Sequence, residues 1–70
     1  MPHIAVSMLP GRNREVKQEL AERLRDTLME TLGVDEKFVS VSVEDVELED
    51  WDDSMKRFPE EHILINPNKK

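Results

Sequence analysis

The sequence predicts an α/β protein built on one β-α-β unit with parallel strands. Two observations support this prediction. Short segments of alternating side chains lie on either side of a long segment with helical periodicity, and the links between the three are short. Because a strand that follows a crossover helix usually lies parallel to the strand before it, the two strands are expected to pair in parallel.

The first strand is predicted at residues 3–9, HIAVSML, where two sets of side chains alternate. Ile4 and Val6 belong to an apolar set, whereas His3 and Ser7 belong to a set that mixes polar and apolar side chains. A Pro-Gly pair then breaks the strand.

A long helix is predicted at residues 14–32. Asn13 is a favourable N-cap residue, and Gly33 is typical of the position that follows a helix. Between them, apolar residues recur at three- and four-residue spacing and form one stripe, which is expected to pack on the sheet.

The second strand is predicted at residues 38–46, FVSVSVEDV, in which valines alternate with serines and an acid. The acidic stretch EDVELEDWDD that follows is interpreted as a solvated edge around one tryptophan. The short C-terminal segment, residues 54–70, is predicted to hold a helical turn at 54–58 and an apolar piece at 63–65. One domain is expected to span residues 1–70.

Length and composition favour self-association. A chain of 70 residues buries only about 60% of its unfolded surface, so it usually needs disulfides, a metal or association with copies of itself. There is no cysteine, which excludes disulfides. His3 and His62 are too far apart in sequence to suggest a metal motif, so no metal is expected.

Charge and hydropathy exclude other classes of protein. The net charge of −6 argues against nucleic-acid binding, which normally requires a basic patch. The longest apolar run is far too short to span a membrane, and no signal peptide is visible. A cytoplasmic location is therefore expected.

Several motifs occur together: Pro2 opens the first strand, Gly11 and Arg12 follow it, and VSVSVEDVELEDW leads to Trp51. In this combination the chain resembles the tautomerase superfamily, in its 4-oxalocrotonate tautomerase-like branch, and is most similar to small bacterial phenylpyruvate-type tautomerases. The resemblance implies the tautomerase (MIF-like) fold, completed by oligomerisation into a dimer or a trimer of dimers. It also implies an isomerase that interconverts the keto and enol forms of a small 2-oxo acid without a cofactor.

The resemblance assigns roles to individual residues. Pro2, exposed by removal of Met1, corresponds to the proline whose amine acts as general base and acid, and burial or a nearby cation lowers the pKa of such an amine. Arg12 matches the arginine that binds the substrate carboxylate with its guanidinium fork. Leu9 matches a position that lines the pocket from a neighbouring subunit, and Trp51 matches an aromatic wall.

Ser40 departs from the family pattern, because the 4-oxalocrotonate enzymes carry a second arginine there. A hydroxyl group supplies no charge, so a phenylpyruvate-like monocarboxylate is favoured over a 2-hydroxymuconate-like dicarboxylate. A related proline-based hydratase, dehalogenase or decarboxylase and a non-catalytic assembly module both remain as alternatives. His3 is interpreted as a strand residue that faces a neighbouring layer.

Overall fold

The structure is a computed structural model that describes residues 1–67. Its centre is formed by two parallel strands that pair directly and by the long helix that connects them along the chain. The helices and strands are β1 (His3–Met8), α1 (Arg14–Leu32), β2 (Ser40–Asp45) and α2 (Trp51–Met55). Three short 3₁₀ turns lie at Glu36–Phe38, Leu48–Asp50 and Glu60–His62. The predicted β-α-β unit with parallel strands is confirmed.

The helix α1 has the predicted bounds, whereas both strands are shorter than predicted. β1 ends one residue early, at Met8, so that Leu9 and the Pro-Gly pair after it lie in the following loop. β2 begins at Ser40 because the preceding residues form the 3₁₀ turn Glu36–Phe38, which Asp35 caps by accepting a hydrogen bond from an amide. At its other end, the Val46 amide still donates to the Met8 carbonyl at 2.8 Å, although Val46 lies outside the strand.

The C-terminal segment differs most from the prediction. The helical turn predicted at 54–58 is instead α2, which begins three residues earlier because the 3₁₀ turn Leu48–Asp50 runs directly into it. Trp51 therefore lies in the first position of a helix. The apolar piece predicted at 63–65 has no regular structure, and two of its three side chains are exposed. The last three residues of the predicted segment 54–70 lie outside the described residues.

The strand register divides the sheet into two faces. Ile4 pairs with Val41 and Val6 pairs with Val43, and both valines of β2 border a cleft with Ala21 of α1. This face therefore packs on the helix. The opposite face, here called the open face, carries His3, Ala5, Ser7, Ser40, Ser42 and Glu44.

Capping hydrogen bonds define the two ends of α1, and an ion pair ties it to the sheet. Asn13 Oδ1 accepts a hydrogen bond from the Val16 amide at 2.9 Å. At the other end, Gly33 adopts the left-handed conformation with φ 68°, which favours glycine, and its amide donates to a carbonyl of the last turn. Lys17 pairs with Asp45 at 2.7 Å, which ties the first turn of α1 to the end of β2.

We expect Asn13→Ala to destabilise the protein by about 1 kcal/mol, because the Val16 amide loses its side-chain acceptor. Asn13→Ser keeps an N-cap oxygen and is expected to remain close to the parent protein. Urea unfolding at one protein concentration, followed by circular dichroism, measures the difference. Equal midpoints for the alanine variant and the parent would contradict the assignment of Asn13 as the cap.

The single chain has almost no core. Within residues 1–67, Val46 is the one hydrophobic residue in the buried class, at 7% exposure. Large apolar side chains remain exposed, among them Leu32, Leu48 and Leu64. A chain of this size without cysteines needs a further source of stability. The exposed apolar surface therefore supports the predicted self-association, which stays a prediction.

Candidate active site

Pro2 and Ser40 lie side by side at the amino end of the sheet. The Ser40 amide donates a hydrogen bond to the Pro2 carbonyl at 3.3 Å, which extends the pairing of the two strands by one step. Pro2 is half-buried, whereas Met1 before it is 99% exposed. Met1 is therefore open to removal, and removal would leave the Pro2 nitrogen as the chain's terminal amine.

Leu9 and Arg12 lie at the other end of β1, in the loop that leads to α1. Leu9 lies seven positions after Pro2 along a mostly extended chain, which corresponds to about 23 Å at the rise of a strand. Leu9 is 40% exposed, and Arg12 is exposed with no hydrogen bond or ion pair to the described part of the chain. One chain therefore does not bring Arg12 to Pro2.

Trp51 lies on the open face of the sheet. With Met55 and Phe58 it borders a cavity of about 370 Å³ whose floor is Ala5 and Ser7 of β1. Trp51 was predicted to form an aromatic wall. In the structure, Phe58 and Met55 border the same cavity, and the role of Trp51 towards a substrate stays a prediction. Because the open face also carries Ser40, two of the predicted site residues share one side of the sheet.

His3 forms a cluster that was not predicted from the sequence. Its Nδ1 atom lies 2.6 Å from Ser40 Oγ, and its Nε2 atom lies 3.0 Å from Ser42 Oγ. The alternation of each strand indicated that these side chains lie on the less apolar faces. Only the register, which sets His3 directly opposite Ser40, brings the imidazole between the two hydroxyl groups.

Arg57 is a second residue that the sequence analysis did not identify. Its Nη2 group donates to Glu44 Oε1 at 2.8 Å and to Ser54 Oγ at 2.7 Å, and it lies 3.5 Å from Ser7 Oγ. Its Nε group donates to the Ser54 carbonyl at 3.0 Å. Arg57 thus holds the C-terminal segment against the open face. No local sequence pattern signals this contact, because Ser7 and Arg57 are 50 residues apart.

The charged groups around the site are partly paired. Asp45 and Glu44 of the acidic stretch pair with Lys17 and Arg57, so the stretch is not uniformly free to bind a cation. Within residues 1–67, no group of three or more His, Cys, Asp or Glu residues is placed to hold a metal ion. Over the same range, no helix is long and apolar enough to cross a membrane.

One shifted pKa lies away from the site, on α1. A hydrogen bond to Asp26 raises the pKa of the Arg25 guanidinium, although desolvation acts against it. Asp26 and Glu36 also add favourable charge interactions, and Glu36 lies 3.0 Å from the guanidinium. Arg25 therefore serves as a permanent cation that links α1 to the turn before β2.

The fold and the candidate site define a class of small β-α-β protein, in which a proline opens the first strand and an exposed arginine follows it. A family model described as "Tautomerase enzyme" matches residues 2–52. The chain belongs to the tautomerase enzyme family. The predicted resemblance is thereby confirmed, and with it the expected class of enzyme, the isomerases.

Individual relatives agree with this assignment. The chain is 55% identical over 51 residues to a "Probable tautomerase" of Xylella fastidiosa, a match that covers 73% of this chain and 62% of that protein. It is 30% identical over 61 residues to another "Probable tautomerase", of Ralstonia nicotianae, covering 87% and 94%. It is 37% identical over 46 residues to the 2-hydroxymuconate tautomerase of Bacillus subtilis, covering 66% and 74%. The chain thus spans less than two thirds of the Xylella relative.

Proposed function

We propose that this protein interconverts the keto and enol forms of a small 2-oxo acid, with the Pro2 amine as general base and acid. The observation that carries the proposal is the family match, which begins at Pro2 and includes Arg12 and Ser40. The proline nitrogen becomes basic only when Met1 is removed. The exposure of Met1 supports this removal.

The proposed reaction is a proton transfer between oxygen and carbon. In ketonisation, a basic group at the site takes the hydroxyl proton of the enol, the electron pair of that O–H bond forms the C=O bond, and the C=C pair takes a proton at the β-carbon from the protonated Pro2 amine. Arg12 holds the substrate carboxylate through two parallel hydrogen bonds and stabilises the enolate charge. The reverse reaction removes the proton alpha to the carbonyl with the same groups.

A second copy of the chain supplies Arg12 in this proposal. Pro2 and Arg12 lie at opposite ends of β1, too far apart for one substrate molecule of this size. When two copies pair their sheet edges about a two-fold axis, the strands that meet are antiparallel. The amino end of one strand then lies beside the carboxyl end of the other. This arrangement supports a dimer, or a trimer of dimers, as the active form.

The substrate class follows from the charges at the site. Arg12 can bind one carboxylate, and Ser40 adds a hydroxyl group but no second charge. The cavity beside Trp51 and Phe58 offers apolar and aromatic side chains to an aryl group. We therefore favour a phenylpyruvate-like monocarboxylate over a 2-hydroxymuconate-like dicarboxylate, the substrate named for the Bacillus subtilis relative.

We expect the parent protein, once Met1 is removed, to ketonise phenylenolpyruvate with a higher kcat/KM than 2-hydroxymuconate. Ser40→Arg is expected to raise the relative preference for the dicarboxylate by about tenfold, because it adds a charged partner for the second carboxylate. Ser40→Gln, a long side chain without charge, is the matched control. The loss of absorbance of each enol measures the rates, and an unchanged ratio in Ser40→Arg would contradict the assigned position.

Two alternative functions would give different products from the same samples. A proline-based hydratase, dehalogenase or decarboxylase would leave the enol acids unchanged and release a hydrated, dehalogenated or decarboxylated product from an unsaturated acid. An assembly module would be inactive towards every acid, and intact Met1 in the purified natural protein would favour it. Product analysis together with an intact-mass spectrum separates these functions from tautomerisation.

A further inference from the structure

We propose that Ser40 and His3 form a second proton path, which receives the oxygen-bound proton of the enol while Pro2 serves the carbon. This inference rests on the proposed function and deepens it by assigning the oxygen end of the substrate to a separate pair of residues. Ser40 is the catalytic residue of this path, because the path places its hydroxyl against the enol oxygen. His3 is a positioning residue that acts through Ser40.

Each ring nitrogen of His3 lies within hydrogen-bond distance of a serine hydroxyl: Nδ1 lies 2.6 Å from Ser40 Oγ, and Nε2 lies 3.0 Å from Ser42 Oγ. A neutral imidazole accepts a hydrogen bond at one ring nitrogen and donates one from the other. The proposed path uses the tautomer in which Ser40 donates to Nδ1 and Nε2 donates to Ser42, because only an unprotonated Nδ1 can take the Ser40 proton.

This arrangement has the three parts of an activated hydroxyl group. In this tautomer Ser40 donates its hydrogen bond to the ring, the ring can accept that proton, and Ser42 fixes the ring by accepting from its other side. With its proton directed at His3, the Ser40 oxygen offers lone pairs to a ligand. An enol hydroxyl is a donor, whereas a carboxylate is only an acceptor, so Ser40 is suited to the enol.

The position of Ser40 places this cluster at the end of the sheet where Pro2 lies. The Ser40 amide bonds to the Pro2 carbonyl, and His3 is the next residue along the chain from Pro2. One ligand can therefore meet the Pro2 amine with its carbon and the Ser40 hydroxyl with its oxygen. Ser40 thus takes part in the chemistry, beyond the uncharged contact that was expected of it.

The proposed step is balanced in protons and electrons. The enol O–H bond breaks and its proton bonds to Ser40 Oγ, while the original Ser40 proton passes to His3 Nδ1. The electron pair of the O–H bond forms the C=O bond, and the C=C pair takes a proton from protonated Pro2. His3 ends protonated and Pro2 ends neutral. Exchange with solvent returns both groups to their starting states.

The test uses the full-length protein without Met1 and phenylenolpyruvate as the substrate. We expect His3→Ala and Ser40→Ala each to lower kcat by about 10²-fold, with KM changed much less because Arg12 still binds the carboxylate. The double variant is expected to be no slower than either single variant, since both changes interrupt one path. His3→Asn, whose amide oxygen can accept a hydrogen bond but no proton, is expected to be as slow as His3→Ala.

Added imidazole provides the readout that a merely structural role would not change. We expect imidazole to restore much of the kcat of His3→Ala and none of that of the double variant, because the rescue requires the Ser40 hydroxyl. Far-UV circular dichroism and sedimentation check that each variant folds and assembles like the parent. Additive losses, parent-like His3→Asn activity or rescue without Ser40 would each overturn the proton path.

The outcome for the parent protein keeps the two proposals distinguishable. If the parent ketonises the enol and the His3 and Ser40 variants match its rate, the proton path is wrong and the proposed function stands. If the parent is inactive towards phenylenolpyruvate and 2-hydroxymuconate, the proposed function fails and the proton path fails with it.

Discussion

Insertion of one alanine between Met1 and Pro2 is expected to lower the ketonisation rate by about 10²–10⁴-fold. In that variant the Pro2 nitrogen is part of a peptide bond, so it is no longer basic. Phenylenolpyruvate ketonisation measures the rate, and an intact-mass spectrum establishes which residue begins each chain. An insertion variant as fast as the parent would show that the terminal amine does not transfer the proton.

Pro2→Ala separates the amine from the proline ring. This variant still has a terminal amine after Met1 is removed, but the amine is primary and is not held in a ring. We expect its rate to fall between those of the parent and the insertion variant. Both variants keep the residues of β1 from His3 onward, so equal thermal unfolding of the three proteins serves as the control for folding.

Arg12→Ala is expected to lower kcat/KM by about 10²-fold, because the substrate carboxylate loses two charge-assisted hydrogen bonds. Arg12 makes no such contact within the described part of its own chain, so its removal is expected to leave the stability of the chain nearly unchanged. Arg12→Lys keeps the charge but loses the forked geometry, and an intermediate rate is expected. Steady-state kinetics of the three proteins measures the effect.

A mixture of two impaired variants tests whether Arg12 acts across subunits. When Pro2→Ala and Arg12→Ala chains are unfolded and refolded together, about half of the dimers are mixed, and each mixed dimer has one site with both groups intact. The mixture is therefore expected to recover about a quarter of the parent activity. Each variant refolded alone is the control. No recovery in the mixture would place both groups of a site on one chain.

The sequence predicts best what local chemistry decides. The bounds of α1 could be read from Asn13 and Gly33, because capping residues act within one turn of the chain. The start of β2 was predicted two residues too early, because Phe38 has the side chain of a typical strand residue, whereas the structure places it in a 3₁₀ turn. The start of α2 was missed because a helix of five residues has too little periodicity to recognise.

The candidate site was predictable only where resemblance to the family supplied it. Pro2 and Arg12 follow from that resemblance, and their roles stay predictions. The His3 cluster depends on the alignment of β1 with β2, whose residues are 37 and 39 positions apart in the chain. Alternation shows which side chains share a face of a strand, but a shift of one step in register would separate His3 from Ser40.

Because the single chain has almost no core, its proposed self-association would make the enzymatic activity depend steeply on the amount of protein made. Val46 is the one buried hydrophobic residue within residues 1–67, so if the chain self-associates as proposed, dilution below the dissociation constant of the assembly is expected to remove both structure and activity. In that range the number of assembled dimers grows with the square of the chain concentration, so doubling expression quadruples the activity. With that assembly, a cell that makes this protein would have a threshold of synthesis, below which the proposed reaction hardly proceeds.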